Sequence, residues 1–213
     1  MVHMSDVAAR LGGPHMKGRL TMGVSYVERA DADDATKAFY DRAEGTFEMV
    51  LNIFKVFGHT PELGAIFTDS VMAMLKDAKL EWKTKELLIL KATHRNECQY
   101  CVVQHEAVSQ RVGVTPAQIA DLAGDRYKSS DLFTDGEKAL LDLTVQIGAD
   151  ANRVSRDTWD RVKAHYTEPQ IVEAAYVIKQ YIAISKFGDA LGVGLEDVFL
   201  GGKPILEVAH HGS

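Results

Sequence analysis

The sequence predicts an all-α protein, and three observations carry that expectation. Apolar residues recur at spacings of three and four through most of the chain, as on one face of a helix. Helix-start signals, a Ser, Thr or Asp followed by Pro or Glu, punctuate these runs. No segment sustains the apolar–polar alternation of a half-buried strand bounded by turns.

The elements follow in order, about eight helices in all. Asp33 and Asp34 open a run through Phe39, Phe47, Val50, Ile53, Phe54 and Phe57, stopped by Gly58. Thr60-Pro61-Glu62 is a cap with proline at the first helical position, and it opens Leu63, Ile66, Phe67, Val71, Met74 and Leu75. Thr84 opens a third helix containing Leu87 to Leu90 and ending near Arg95-Asn96. The flanks of that apolar run, Lys83 to Glu86 and Lys91 to His94, suit a helix better than a strand. Cys98 starts a fourth helix that ends at Gly113, and Thr115-Pro116 opens a short fifth. Thr134-Asp135-Gly136-Glu137 is a capping box for a sixth. Ser155 caps a seventh with Trp159 and Val162. Thr167-Glu168-Pro169-Gln170 starts a long eighth that runs to Gly192.

With 213 residues, the chain is long enough for one large or two small domains. Two weakly related halves are expected, residues 24–125 and 126–200, because both Thr84-Lys85-Glu86-Leu87-Leu88 and Glu168 to Glu173 open apolar helices that end in Gly-Val. The polar stretch Asp121 to Asp135 connects them. Residues 1–23 read as a disordered or vector-derived leader, broken by Gly12, Gly13, Pro14 and Gly18, and 201–213 as a tail. A net charge of −6 gives no support for binding nucleic acid or an anionic membrane. No run approaches the roughly 18 apolar residues of a membrane span, and no charged leader precedes an apolar one. The expected location is the cytoplasm.

Cys98 and Cys101 are the only cysteines, three residues apart, with His105 four beyond the second. In a cytosolic setting this spacing points to redox or metal chemistry rather than a structural bridge. With Val108 and Val112, the three residues form one stripe at helical spacing. The thiols and imidazole are therefore expected to face inward. The first turn of a helix favours negative charge, hence a thiolate. If the third and fourth helices form an antiparallel hairpin about Asn96-Glu97, Glu86 falls near His105 to Ala107. A carboxylate then orients the imidazole, and the imidazole moves a proton for Cys101. Attack of one sulfur on a peroxide O–O bond gives a sulfenic acid, which the other sulfur condenses to a disulfide.

The pattern Glu86, twelve residues, Cys98-x-x-Cys101, three residues, His105 resembles the signature of the alkyl hydroperoxidase D (AhpD)-like branch of the carboxymuconolactone decarboxylase-like family. The resemblance spans about residues 60–122, through Thr60-Pro61-Glu62-Leu63, Lys85-Glu86-Leu87-Leu88 and Asn96-Glu97-Cys98-Gln99-Tyr100-Cys101 to Gly113. It implies an all-helical fold, a homo-oligomer, and reduction of hydroperoxides by the cysteine pair, with no cofactor. It also implies Cys101 as the attacking and Cys98 as the resolving thiol, with Glu86 and His105 as a proton relay; the disulfide chemistry itself requires an external dithiol to reset the pair. Tyr100 stands where the best-known peroxidase of the family has a histidine. The decarboxylase that names the family lacks the cysteine pair.

Two other readings use the same residues. A general disulfide oxidoreductase needs only the cysteines and their relay. A non-enzymatic, zinc-stabilised helical module would use His94, Cys98, Cys101 and His105, spaced H-x3-C-x2-C-x3-H, as tetrahedral ligands. His94 otherwise reads as a surface or turn histidine, Tyr100 as a pocket wall, and Met72 and Met74 as core.

Overall fold

The computed structural model describes residues 23–197, so the expected tail and all but the last residue of the expected leader lie outside the described residues. Among the described residues there are nine α-helices and no strand. They are α1 (Asp34–Phe47), α2 (Asn52–Phe57), α3 (Pro61–Met74), α4 (Trp82–Arg95), α5 (Gln99–Arg111), α6 (Pro116–Leu122), α7 (Asp135–Asp150), α8 (Arg156–His165) and α9 (Glu168–Leu191). Short 3-10 turns occupy Arg126–Lys128 and Ala151–Arg153.

Most of the starts are capped as the sequence dictates. The Asp33 carboxylate accepts the Thr36 N–H at 2.8 Å. Thr115 with Gln118 and Thr134 with Glu137 form reciprocal capping boxes. Two boundaries differ from expectation. The single run from Asp33 to Gly58 is two helices, because Glu48 turns left-handed at φ 62° and closes α1 with its N–H on the Glu44 carbonyl. Helix α4 starts at Trp82 rather than Thr84, since the Asp77 carboxylate accepts the Trp82 N–H at 2.8 Å and satisfies the first turn from outside it.

The described residues form two compact units. One comprises residues 23–72 and 188–197. Its core is aromatic: Phe54 packs against Phe39, Phe47 and Phe67 at ring-centroid separations of 5.9, 5.1 and 6.1 Å. A Cβ on Gly64 would meet the Phe39 ring at 2.6 Å, so a side chain there would have to displace that buried ring.

The other unit, Ala73–Phe187, is built around α4, which packs on α5, α6 and α7, with α8 on α7. Every residue from Lys85 to Thr93 is buried, so α4 is covered on all sides. Burying Leu87, Leu88, Ile89 and Leu90 contributes roughly 1.5–3 kcal/mol each. The charged residues buried on this helix have partners, as burial demands. Lys85 Nζ reaches Glu173 at 2.7 Å and donates to the Lys76 carbonyl at 2.6 Å. Lys91 Nζ donates to the carbonyls of Leu122 and Gly124 and lies 4.7 Å from the centre of the Tyr127 ring. The stretch from Asp121 to Asp135 is therefore anchored. Tyr127, fully buried, donates its hydroxyl to Asp142 at 2.7 Å.

Candidate active site

The turn between α4 and α5 fixes where the first cysteine stands. Asn96 ends α4, and Glu97 adopts a left-handed conformation at φ 56°. The Glu97 N–H then bonds the His94 carbonyl, and the Cys98 N–H bonds the Thr93 carbonyl. This paired closure is a Schellman motif, usually built on glycine at the left-handed position. The residue that completes it, Cys98, is at once the N-cap of α5, and its sulfur accepts the Cys101 N–H at 3.4 Å. Only Asn96 and Glu97 stand between the last residue of α4 and the cap of α5. The hairpin expected from the sequence is thereby formed.

Cys98 and Cys101 are in the dithiol form, with their sulfurs 2.8 Å apart. They are 0% and 3% exposed, which makes this an interior site. His105, one turn further along α5, is also buried, and its Nδ1 lies 2.8 Å from Oε2 of Glu86 on α4. An ionised carboxylate only accepts, so Nδ1 carries the hydrogen and Nε2 of the neutral ring is the basic nitrogen. The other Glu86 oxygen, Oε1, accepts the indole N–H of Trp82 at 2.8 Å. A fully buried carboxylate thus has a donor on each oxygen, the arrangement that makes its burial tolerable.

Helix α9 supplies the facing wall. Tyr181 stands edge-on to His105, ring centroids 4.7 Å apart at 89°. Burial, with the charges of Glu86 and Cys101 added, pushes the Tyr181 hydroxyl well above the usual phenol range. It therefore stays neutral. Ser185, also fully buried, donates to the Tyr181 carbonyl at 2.7 Å and lies 3.8 Å from Sγ of Cys101.

The structure thus brings Glu86, Cys98, Cys101 and His105 into one region. His94, expected at the surface or the turn, stands in the last turn of α4, is only partly exposed, and lies 3.8 Å from Glu106. Its Nε2 has no hydrogen-bond partner. Among the described residues no three His, Cys, Asp or Glu side chains converge to hold a metal ion, and the H-x3-C-x2-C-x3-H set is not assembled. The physical reason is directional: His105 turns to Glu86, while His94 turns to Glu106. Sequence reasoning missed Trp82, Tyr181 and Ser185. Trp82 was accessible in principle, four residues before Glu86 on a helix. No local signal links Tyr181 or Ser185 to residues some eighty positions away.

This chain has relatives. Residues 61–146 match the carboxymuconolactone decarboxylase family. Uncharacterized protein 4 in the cox locus of Paracoccus denitrificans is 31% identical over 98 residues, which are 43% of this chain and 88% of that protein. YdfG of Bacillus subtilis, also uncharacterized, is 27% identical over 118 residues, 55% of this chain and 79% of that one. The chain belongs to the carboxymuconolactone decarboxylase family. Its fold is that of the AhpD-like branch. A peroxidase-related protein of Ralstonia eutropha JMP134 with an alkylhydroperoxidase AhpD core superposes with a TM-score of 0.71 at 21% identity, covering 86% of this chain and 98% of that one. The debrominase Bmp8, solved with 2,3,4-tribromopyrrole, gives 0.71 at 16% identity over 84% and 94%.

Proposed function

We propose that this protein is a thiol peroxidase that reduces small hydroperoxides through Cys101 and Cys98. The observation that carries the reading is the hydrogen bond from His105 to Glu86 beside two adjacent, buried thiols. His105 takes the Cys101 proton. The thiolate attacks the peroxide, forming an S–O bond as the O–O bond breaks, and the proton returns to the departing alkoxide. The alcohol leaves, and Cys101 is a sulfenic acid. The Cys98 sulfur then attacks Cys101, an S–S bond forms, and the hydroxyl departs as water with the Cys98 proton. One hydroperoxide and two thiols give one alcohol, one water and one disulfide. An external dithiol restores the pair by exchange and is itself oxidised.

Burial favours a small substrate over a protein disulfide. Exchange requires the partner sulfur to come within bonding distance, and cysteines that are 0% and 3% exposed offer little surface to a folded partner. Burial also raises a thiol's pKa, so a thiolate here needs a base and donors around it. Glu86, His105 and the first turn of α5 are the groups that fill that need.

The test is initial-rate turnover of hydrogen peroxide and organic hydroperoxides with a small dithiol as reductant. Because one protein of the same fold is a debrominase, 2,3,4-tribromopyrrole belongs in the same substrate panel. Hydroperoxide turnover that vanishes in Cys101→Ala is the expected result. Dithiol-dependent loss of bromide with no hydroperoxide turnover would replace this reading, and absence of both would overturn it.

A further inference from the structure

Ser185 is a hydroxyl in the middle of an apolar helix, flanked by Ile182, Ala183, Ile184 and Phe187. Serine is no better than average in a helix interior, and a buried hydroxyl needs a partner. Its Oγ donates to the carbonyl of Tyr181, four residues back, at 2.7 Å. That carbonyl already accepts a helix N–H by the regular pattern, so the serine bond is an addition to it rather than its sole partner. On its other side Oγ lies 3.8 Å from the Cys101 sulfur, within hydrogen-bonding range for sulfur. A hydroxyl has one hydrogen and two lone pairs, and the hydrogen turns freely about the Cβ–Oγ bond.

We propose that Ser185 is a positioning residue that stabilises the thiolate of Cys101 by turning its hydroxyl hydrogen from the Tyr181 carbonyl to the sulfur. With the thiol protonated, Cys101 donates to Oγ while Oγ donates to the carbonyl. Once the proton leaves, a sulfur carrying negative charge in an interior site has gained an acceptor and lost its donor. A turn of the Ser185 hydroxyl supplies a hydrogen bond to it, leaving the Tyr181 carbonyl on its helix N–H. Bonds to an ionised acceptor are about twice as strong as neutral ones, so the exchange is favourable. The Cys98 thiol, 2.8 Å away, is the second donor to the same sulfur. The titratable groups around Cys101 are Cys98 and His105 of its own helix, Glu86 of α4 and Tyr181 of α9. Of these, Glu86 as a carboxylate opposes a thiolate, which makes a neutral donor at the sulfur more valuable.

This inference rests on Cys101 as the reactive thiol, and its test uses no peroxide, so it stands or falls separately from the peroxidase reading. In a Cys98→Ser background a single thiol titrates, and its ionisation is read from thiolate absorbance in the ultraviolet. Adding Ser185→Ala should raise the Cys101 midpoint by about one pH unit, a tenfold loss in ionisation constant. Ser185→Thr, which keeps the hydroxyl, should leave the midpoint near its starting value. Alanine is the better helix former, so the fold is expected to survive, and a far-ultraviolet circular dichroism spectrum checks it. If alanine destabilises the helix, Ser185→Val, close to threonine in shape but without the hydroxyl, gives the second reading, and a rise of about one pH unit is expected for it too. An unchanged midpoint in Ser185→Ala, or equal shifts in the alanine and threonine variants, would overturn the proposal.

Discussion

Nδ1 of His105 and Oε2 of Glu86 lie 2.8 Å apart, although nineteen positions and a helix reversal separate the two residues. A buried carboxylate that accepts an imidazole N–H on one oxygen and an indole N–H on the other is held in a single orientation. It fixes the ring tautomer and leaves Nε2 as the ring's basic nitrogen. The consequences for reactivity, stability and pH response can each be measured.

Removing either member of the pair should slow thiol oxidation at neutral pH without removing the nucleophile. General acid–base help of this kind contributes on the order of 10² to 10⁴ in rate. Glu86→Gln and His105→Gln are expected to lose that much, and to recover part of it at high pH, where the thiol ionises unaided. Pre-steady-state oxidation rates against pH check this, and wild-type rates in both variants with the fold intact would refute the relay.

Trp82→Phe should act on the same carboxylate from its other side. It keeps the aromatic bulk and removes the indole donor that holds Oε1. A buried acceptor left without its donor costs about 1–3 kcal/mol, so chemical denaturation should show a loss of that order. The oxidation rate should fall by roughly tenfold, less than for Glu86→Gln, because His105 still holds the carboxylate. Unchanged stability and rate together would mean that the indole bond has no part in the site.

His94 should make the protein sensitive to mild acid. Burial, and secondarily Lys91, pushes its imidazole down to about 4. The unfolded chain, with an ordinary histidine near 6.5, binds more protons between those limits. Stability is therefore lost as pH falls from about 6.5 toward 4, by on the order of 2 kcal/mol from this residue. Glu106, whose carboxyl is raised by burial, works in the opposite sense over its own range and is present in both proteins compared. Urea midpoints at pH 7 and pH 5 should drop less in His94→Gln than in the wild type. An equal drop would assign the acid response to other groups.

How much of this was legible in the sequence depended on distance along the chain. The helix starts at Asp33, Thr115, Thr134 and Ser155 were readable because a cap and its N–H partner lie three residues apart. The approach of Glu86 to His105 was readable because the connecting turn is so short that helical spacing carries across it. Glu48 was not readable as a break, since the apolar spacing continues through it and nothing local marks a left-handed glutamate. Nor was the start of α4 at Trp82, because its N–H is satisfied by Asp77 from outside the helix. The expected zinc ligand set is not assembled among the described residues: spacing along α4 and α5 does not say that His94 turns to Glu106 while His105 turns to Glu86. Tyr181 and Ser185 meet the site only through tertiary packing of α9, which no local pattern encodes.

The central claim is that Cys101 and Cys98 together supply two electrons to a hydroperoxide, and its most direct test is a single turnover. Fully reduced protein is mixed with one equivalent of an organic hydroperoxide and no external reductant, then assayed for alcohol and for intact mass without reduction. The expected result is one alcohol per chain and a monomer lighter by two hydrogens. Cys98→Ser should release one alcohol and stop at a trappable sulfenic acid, and Cys101→Ser should release none. Alcohol formed while both thiols persist, or covalent dimers as the main product, would contradict the account.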